Sequence, residues 1–201
     1  GVESAFVVFD MPFMSYQVSA QDALRNAGRA VKETGCECVK LEGGGEAAAA
    51  AAAVIVEAGI PVCGHIGLTP QSVFQMGGYH LQGREESSRQ RLLTDALALE
   101  AAGVFAIVLE LMPNDLSAQI THQLKIPTIG IGAGRDCDGQ VQVFHDVFGL
   151  YEDFAPKHAR RYAQLADTIR QAAKTYMSDV TGRKFPIADE SPPKAQEKET
   201  I

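Results

Sequence analysis

Asp10, Lys40, Glu42, His65 and Glu110 each stand where a short apolar run stops, and Gly132-Ala133-Gly134 closes one more. In a closed parallel barrel the carboxyl ends of the strands share one face, where the loops converge and active sites lie. Acids, a lysine and glycines gathered on that face would make a site. The competing account is that each charge marks a strand leaving the core for solvent. Lys40-Leu41-Glu42 says more, because residues two apart on a strand point the same way and these two share a face. A carboxylate beside a lysine either holds a hard cation while the ammonium meets an anionic substrate, or forms an internal ion pair with no ligand. Glycines 43–45 leave room for a ligand to approach the backbone.

Residues 63–71 read as strand, sharp turn and short helix, with Thr69 as N-cap and Pro70 at the first helical position. That places His65 at a strand end. Residues 130–134, Gly-Ile-Gly-Ala-Gly, have backbone N–H groups to cradle an anion, but their spacing fits neither the P-loop nor the dinucleotide fingerprint.

The elements that position these residues follow from periodicity. Ser19, with Asp22 three residues on, starts a helix. Ala20, Ala23, Leu24, Ala27, Ala30 and Val31 recur at helical spacing, and Gly35 ends it. The phrase of helix end, glycine and buried strand repeats at 57–63 and 100–109, and a further helix opens at Asn114. Strands are expected at 5–9, 38–41, 62–65, 106–109, 128–131 and 141–144. Apolar strands separated by helices argue for an α/β protein with a parallel sheet. An amphipathic pattern over 156–177 predicts a terminal helix packed on the body. Residues 187–201, rich in Pro, Glu and Lys, read as a disordered tail. Ala47 to Ala53 are helix formers to which no function attaches.

Composition narrows the function. At 201 residues, 46% hydrophobic and 21% charged, the chain fits one soluble globular domain with a sizeable core. A net charge of -7 offers no footprint for nucleic acid or an anionic membrane surface, so a small-molecule partner is expected. Neither a membrane span nor a signal-peptide pattern is found, and the expected location is cytoplasmic. The four cysteines form no CxxC pair, which argues against zinc and a disulfide framework.

Residues 10–16 (DMPFMSY), 39–44 (VKLEGG), 63–71 (CGHIGLTPQ), 77–84 (GGYHLQGR), 95–103, 130–134 and 145–149 (HDVFG), in order, resemble ketopantoate hydroxymethyltransferase, the 3-methyl-2-oxobutanoate hydroxymethyltransferase family. The resemblance implies a (βα)8 TIM barrel that transfers a hydroxymethyl group from 5,10-methylenetetrahydrofolate to 3-methyl-2-oxobutanoate. The product is 2-dehydropantoate, on the way to pantothenate and coenzyme A. Matched position by position, it implies that Asp10 holds Mg²⁺ and lies against the 2-oxo acid. Glu42 is a second metal carboxylate, Lys40 contacts substrate, Glu110 accepts the proton and His65 supports them. A large homo-oligomer is implied as well.

An eight-unit barrel takes about 250 residues. With six strands found, residues 1–186 are expected to be a catalytic barrel domain lacking its first two β/α units. The alternatives are another metal-dependent 2-oxo acid lyase or aldolase on a similar barrel, and a non-catalytic fragment or scaffold.

Overall fold

Each helix-then-strand phrase lays its strand beside the previous one. In the computed structural model, which describes residues 4–152, 154 and 156–187, the result is a six-stranded sheet whose spatial order is its sequence order. The chain divides into two compact units, Gly1–Val141 and Gln142–Ile201. The first runs β1 (Val8–Asp10), α1 (Ala20–Thr34), β2 (Cys38–Glu42), α2 (Gly45–Glu57), β3 (Val62–Gly67), a 3₁₀ turn (Pro70–Ser72), α3 (Glu86–Ala101), β4 (Ala106–Glu110), α4 (Asn114–Gln123), β5 (Thr128–Ile131) and β6 (Gly139–Gln140). Every neighbouring pair is parallel. Sequential parallel order without reversal is the winding of a (βα)8 barrel, whereas a doubly wound sheet changes direction at a switch point.

The two faces of the sheet differ because strand residues alternate. Val39, Leu41, Val62, Ile66, Ile107 and Leu109 join a large core with Ala23 and Ala27 of α1, Ala51, Ala52 and Ile55 of α2, Leu92, Ala96 and Leu99 of α3, and Leu116 and Ile120 of α4. The other face carries a small apolar patch of Cys63, Ala106 and Val108 flanked by Ile129 and Ile131. All four helices therefore cover one face. The alanine run finds a structural use here, since Ala51 and Ala52 pack in the same core as the small residues of α1.

Local signals act as their chemistry predicts at α1. The Ser19 hydroxyl accepts the Asp22 N–H at 3.1 Å, and Gly35, at φ 72, donates its own N–H to the Val31 carbonyl at 3.0 Å. The sixth strand departs from expectation. It lies at Gly139–Gln140 rather than 141–144, and Phe144 opens a helical turn. The Asp138 carboxylate accepts the Thr128 N–H at 2.8 Å, which draws the chain alongside β5 early. β5 then ends at Ile131, so the apolar residues past Val141 have no ladder to join.

The second unit contains α5 (Phe144–Val147) and α6 (Leu165–Thr181). The terminal helix starts later than the pattern over 156–177 predicts. The Tyr162 and Leu165 N–H groups donate instead to the carbonyls of Val147 and Phe148, at 2.8 and 3.0 Å. No residue of α6 is buried. The expected tail falls, beyond Ile187, outside the described residues.

Candidate active site

The parallel register sets Asp10 opposite Lys40, Glu42 opposite His65, and Gly67 opposite Glu110. With Leu41 and Ile66 committed to the helix-covered core, Lys40, Glu42 and His65 must point to the opposite face. There they meet Asp10 and Glu110. Lys40 Nζ lies 2.8 Å from Asp10 Oδ1 and 3.8 Å from Glu42 Oε1. It also lies 3.1 Å from His65 Nδ1. The other ring nitrogen, His65 Nε2, is 3.0 Å from Glu110 Oε2 and 3.0 Å from the Leu68 carbonyl. All five residues singled out in the sequence thus stand in one contiguous group drawn from β1 to β4.

These contacts assign the histidine. An ammonium can only donate, so Nδ1 facing Lys40 must accept and carries no proton. Nε2, facing a carboxylate and a carbonyl, carries the hydrogen. His65 is therefore neutral, in a single tautomer, and buried. Asp10 is half exposed, while the Lys40 and Glu110 side chains keep 15% of their surface open.

Glu42 is held at both ends. Its N–H donates to the Tyr16 hydroxyl at 3.1 Å, and Tyr16 passes its own hydrogen to Gln71 Oε1 at 2.7 Å. Glu42 Oε2 accepts the Gln71 N–H at 2.9 Å, and Gln71 Nε2 donates to the Met11 carbonyl at 2.8 Å. Burial pushes the Tyr16 phenol up to about 12, so it remains a protonated donor. Two corrections follow. The 3₁₀ turn at Pro70 takes its side-chain acceptor from Glu42, while the Thr69 hydroxyl approaches Met76 Sδ at 3.7 Å and caps nothing. Tyr16 and Gln71 join the site as well; both fall inside segments singled out in the sequence, 10–16 and 63–71, but no role attaches to either there, because the bonds that link them form only when the segments after β1 and β3 meet.

The donor set fits a small hard cation. Asp10, Glu42 and Glu110 face one ammonium and a neutral imidazole, a formal excess of two negative charges. Among the described residues no group of three ligating side chains converges. An ion of the Mg²⁺ type, which uses one or two carboxylates and fills its shell with substrate oxygens and water, suits that arrangement.

Beside Glu42, glycines 43–45 border a cavity of about 470 Å³ lined also by Thr69, Met76, Arg91 and Asp95. Asp95 accepts the Gly45 N–H at 2.8 Å, and burial raises its carboxyl above the ordinary range. The Gly130–Gly134 loop serves packing: the Ala133 carbonyl accepts from the Ser117 hydroxyl, and the Gly134 carbonyl from Gln140 Nε2 at 2.8 Å. All four cysteines are free and buried. Burial lifts the Cys63 thiol to about 11 and that of Cys38 to about 12, so neither is a nucleophile near neutrality.

Winding and site together define a barrel-wound α/β protein with acid, ammonium and imidazole groups presented at its strand ends. Among the described residues no helix is long and apolar enough to cross a membrane. Residues 1–188 match the model of the ketopantoate hydroxymethyltransferase family. The 3-methyl-2-oxobutanoate hydroxymethyltransferase of Carboxydothermus hydrogenoformans is 55% identical over 186 residues, 92% of this chain and 67% of that protein. The Moorella thermoacetica protein of the same name is 53% identical over 188 residues, 94% of this chain and 70% of that one. Among solved structures, a putative phosphonomutase from Burkholderia cenocepacia aligns over 87% of this chain and 70% of its own, with 17% identity and a TM-score of 0.48. The chain belongs to the ketopantoate hydroxymethyltransferase family and is a transferase by that membership.

Proposed function

We propose that this protein transfers a hydroxymethyl group from 5,10-methylenetetrahydrofolate to 3-methyl-2-oxobutanoate, giving 2-dehydropantoate for pantothenate synthesis, with Glu110 as the base. The observation that carries the reading is the unbroken row Asp10, Lys40, His65 and Glu110 across four consecutive strands. Asp10 and Glu42 are the residues that would hold Mg²⁺, and the ion would polarise the keto oxygen of the 2-oxo acid and so acidify the adjacent C–H.

Lys40 meets the substrate carboxylate with its ammonium, steadied by Asp10 and His65. Glu110 takes the proton from the carbon next to the keto group. His65 holds Oε2 of that carboxylate and so fixes its rotamer, leaving Oε1 to accept the proton. Water adds to the methylene carbon of the folate donor and both C–N bonds to that carbon break, releasing tetrahydrofolate and a one-carbon unit at the formaldehyde level. The carbon nucleophile attacks that carbonyl carbon, and the alkoxide formed takes up a proton to become the hydroxymethyl group.

The purified protein, incubated with 3-methyl-2-oxobutanoate, 5,10-methylenetetrahydrofolate and Mg²⁺, is expected to form 2-dehydropantoate, detected by mass spectrometry. No product above background contradicts the proposal. Turnover of other 2-oxo acids without folate would instead assign a lyase or aldolase.

A further inference from the structure

We propose that Gln71, braced by Tyr16, is the positioning residue that orients the Glu42 carboxylate toward the cation, an inference that rests on reading Glu42 as a metal ligand. The hydrogen bonds form a closed ring. The Glu42 backbone N–H donates to the Tyr16 hydroxyl, that hydroxyl donates to the Gln71 side-chain Oε1, and the Gln71 backbone N–H returns to Glu42 Oε2. Glu42 is gripped by its backbone and by one carboxylate oxygen at once. With Oε2 engaged, Oε1 is the oxygen left on the side of Lys40, 3.8 Å away, where Asp10 also lies.

A fourth bond extends the ring to the first strand. Gln71 Nε2 donates to the carbonyl of Met11, the residue after Asp10. The Gln71 side chain therefore links Met11, beside Asp10, to the Tyr16 hydroxyl that holds the Glu42 N–H, while the Gln71 backbone N–H holds the Glu42 carboxylate. Two carboxylates on different strands bind an ion tightly only if their separation is fixed before the ion arrives, and outer partners of this kind commonly set metal affinity. The amide is suited to the task because it accepts and donates together. A carboxylate there would keep the bond from Tyr16 and lose the one to Met11.

The test compares wild type with Gln71→Met, which removes the side-chain bonds to Tyr16 and Met11 while the backbone N–H stays on Glu42 Oε2, and Tyr16→Phe, which removes only the hydroxyl. Mg²⁺ binding is followed by calorimetry with the metal alone, and kcat is measured across Mg²⁺ concentrations. Each variant is expected to bind Mg²⁺ about 10-fold to 100-fold more weakly. Activity is expected to recover to within about threefold at saturating metal. The double variant should be little worse than either single, since both break one ring. Wild-type Mg²⁺ affinity in both variants, or a loss confined to kcat, overturns the inference. Absence of Mg²⁺ binding by wild type overturns the metal reading itself, so the two failures are distinguishable.

Discussion

His65 joins Lys40 to Glu110: its Nδ1 lies 3.1 Å from the ammonium and its Nε2 3.0 Å from the carboxylate. A neutral imidazole between a donor and an acceptor can adopt only one tautomer, so the ring locks both neighbours without adding charge. Replacing His65 with Ala leaves the buried ends of Lys40 and Glu110 without their shared partner. A kcat lower by about 10-fold to 100-fold is expected, the usual weight of a supporting shell, with the KM for the 2-oxo acid raised as Lys40 loosens. Unchanged kcat and KM would show that the imidazole only fills space.

The division of labour between the two glutamates separates base from ligand. Glu110→Gln keeps shape and removes basicity, and should lower kcat about 100-fold to 10,000-fold with Mg²⁺ affinity nearly unchanged. Glu42→Gln should weaken Mg²⁺ first and regain part of its activity at high metal. Metal titrations and steady-state kinetics on both variants decide it. Equal loss of metal binding would move Glu110 into the metal site.

Gly67 allows β3 to pass the backbone of β4. At φ 96 it occupies a conformation that side chains resist, and a Cβ there would sit 2.1 Å from the Glu110 carbonyl oxygen. That same carbonyl accepts the Leu68 N–H at 2.8 Å. Gly67→Ala is expected to cost more than the ~1–3 kcal/mol of backbone strain alone, because β4 must also shift beneath Glu110. Urea unfolding measures the loss, and a change under about 0.5 kcal/mol would contradict it.

Asp95 predicts a pH dependence. Burial raises its carboxyl above the ordinary 3.8, so the folded state disfavours the ionised form. The associated stability is fully present below the unfolded value and disappears as pH rises through the folded one. Asp95→Asn keeps an acceptor for the Gly45 N–H and removes the charge. Its melting temperature should gain on wild type between pH 4 and pH 7, and a gap that stays constant over that range would refute the assignment.

Much of this molecule is local and therefore legible in order of residues. Strand runs, the Ser19 and Gly35 helix ends, and the alternation that sends Lys40 and Glu42 one way and Leu41 the other depend on neighbours within a turn or a pleat. The five polar residues of the candidate site are visible in sequence because Asp10, Glu42 and Glu110 end their strands while Lys40 and His65 lie two residues short of the ends of theirs, and parallel strands wound in sequence bring those ends to one face. The apolar stretch 141–144 misled for the complementary reason. A strand needs a partner as well as a pattern, and the partner ended at Ile131.

What tertiary structure alone decided are relations across space. The sequence by itself determined which residues reach the strand ends, since that follows from period and chain direction. It could not determine the tautomer of His65, which depends on what each ring nitrogen touches. Nor could it reveal the ring around Glu42, whose Tyr16 and Gln71 lie 55 residues apart and meet because the segments that follow β1 and β3 converge above β2. Hydrogen bonds at 2.7–3.1 Å are settled by packing at a scale that no spacing along the chain encodes.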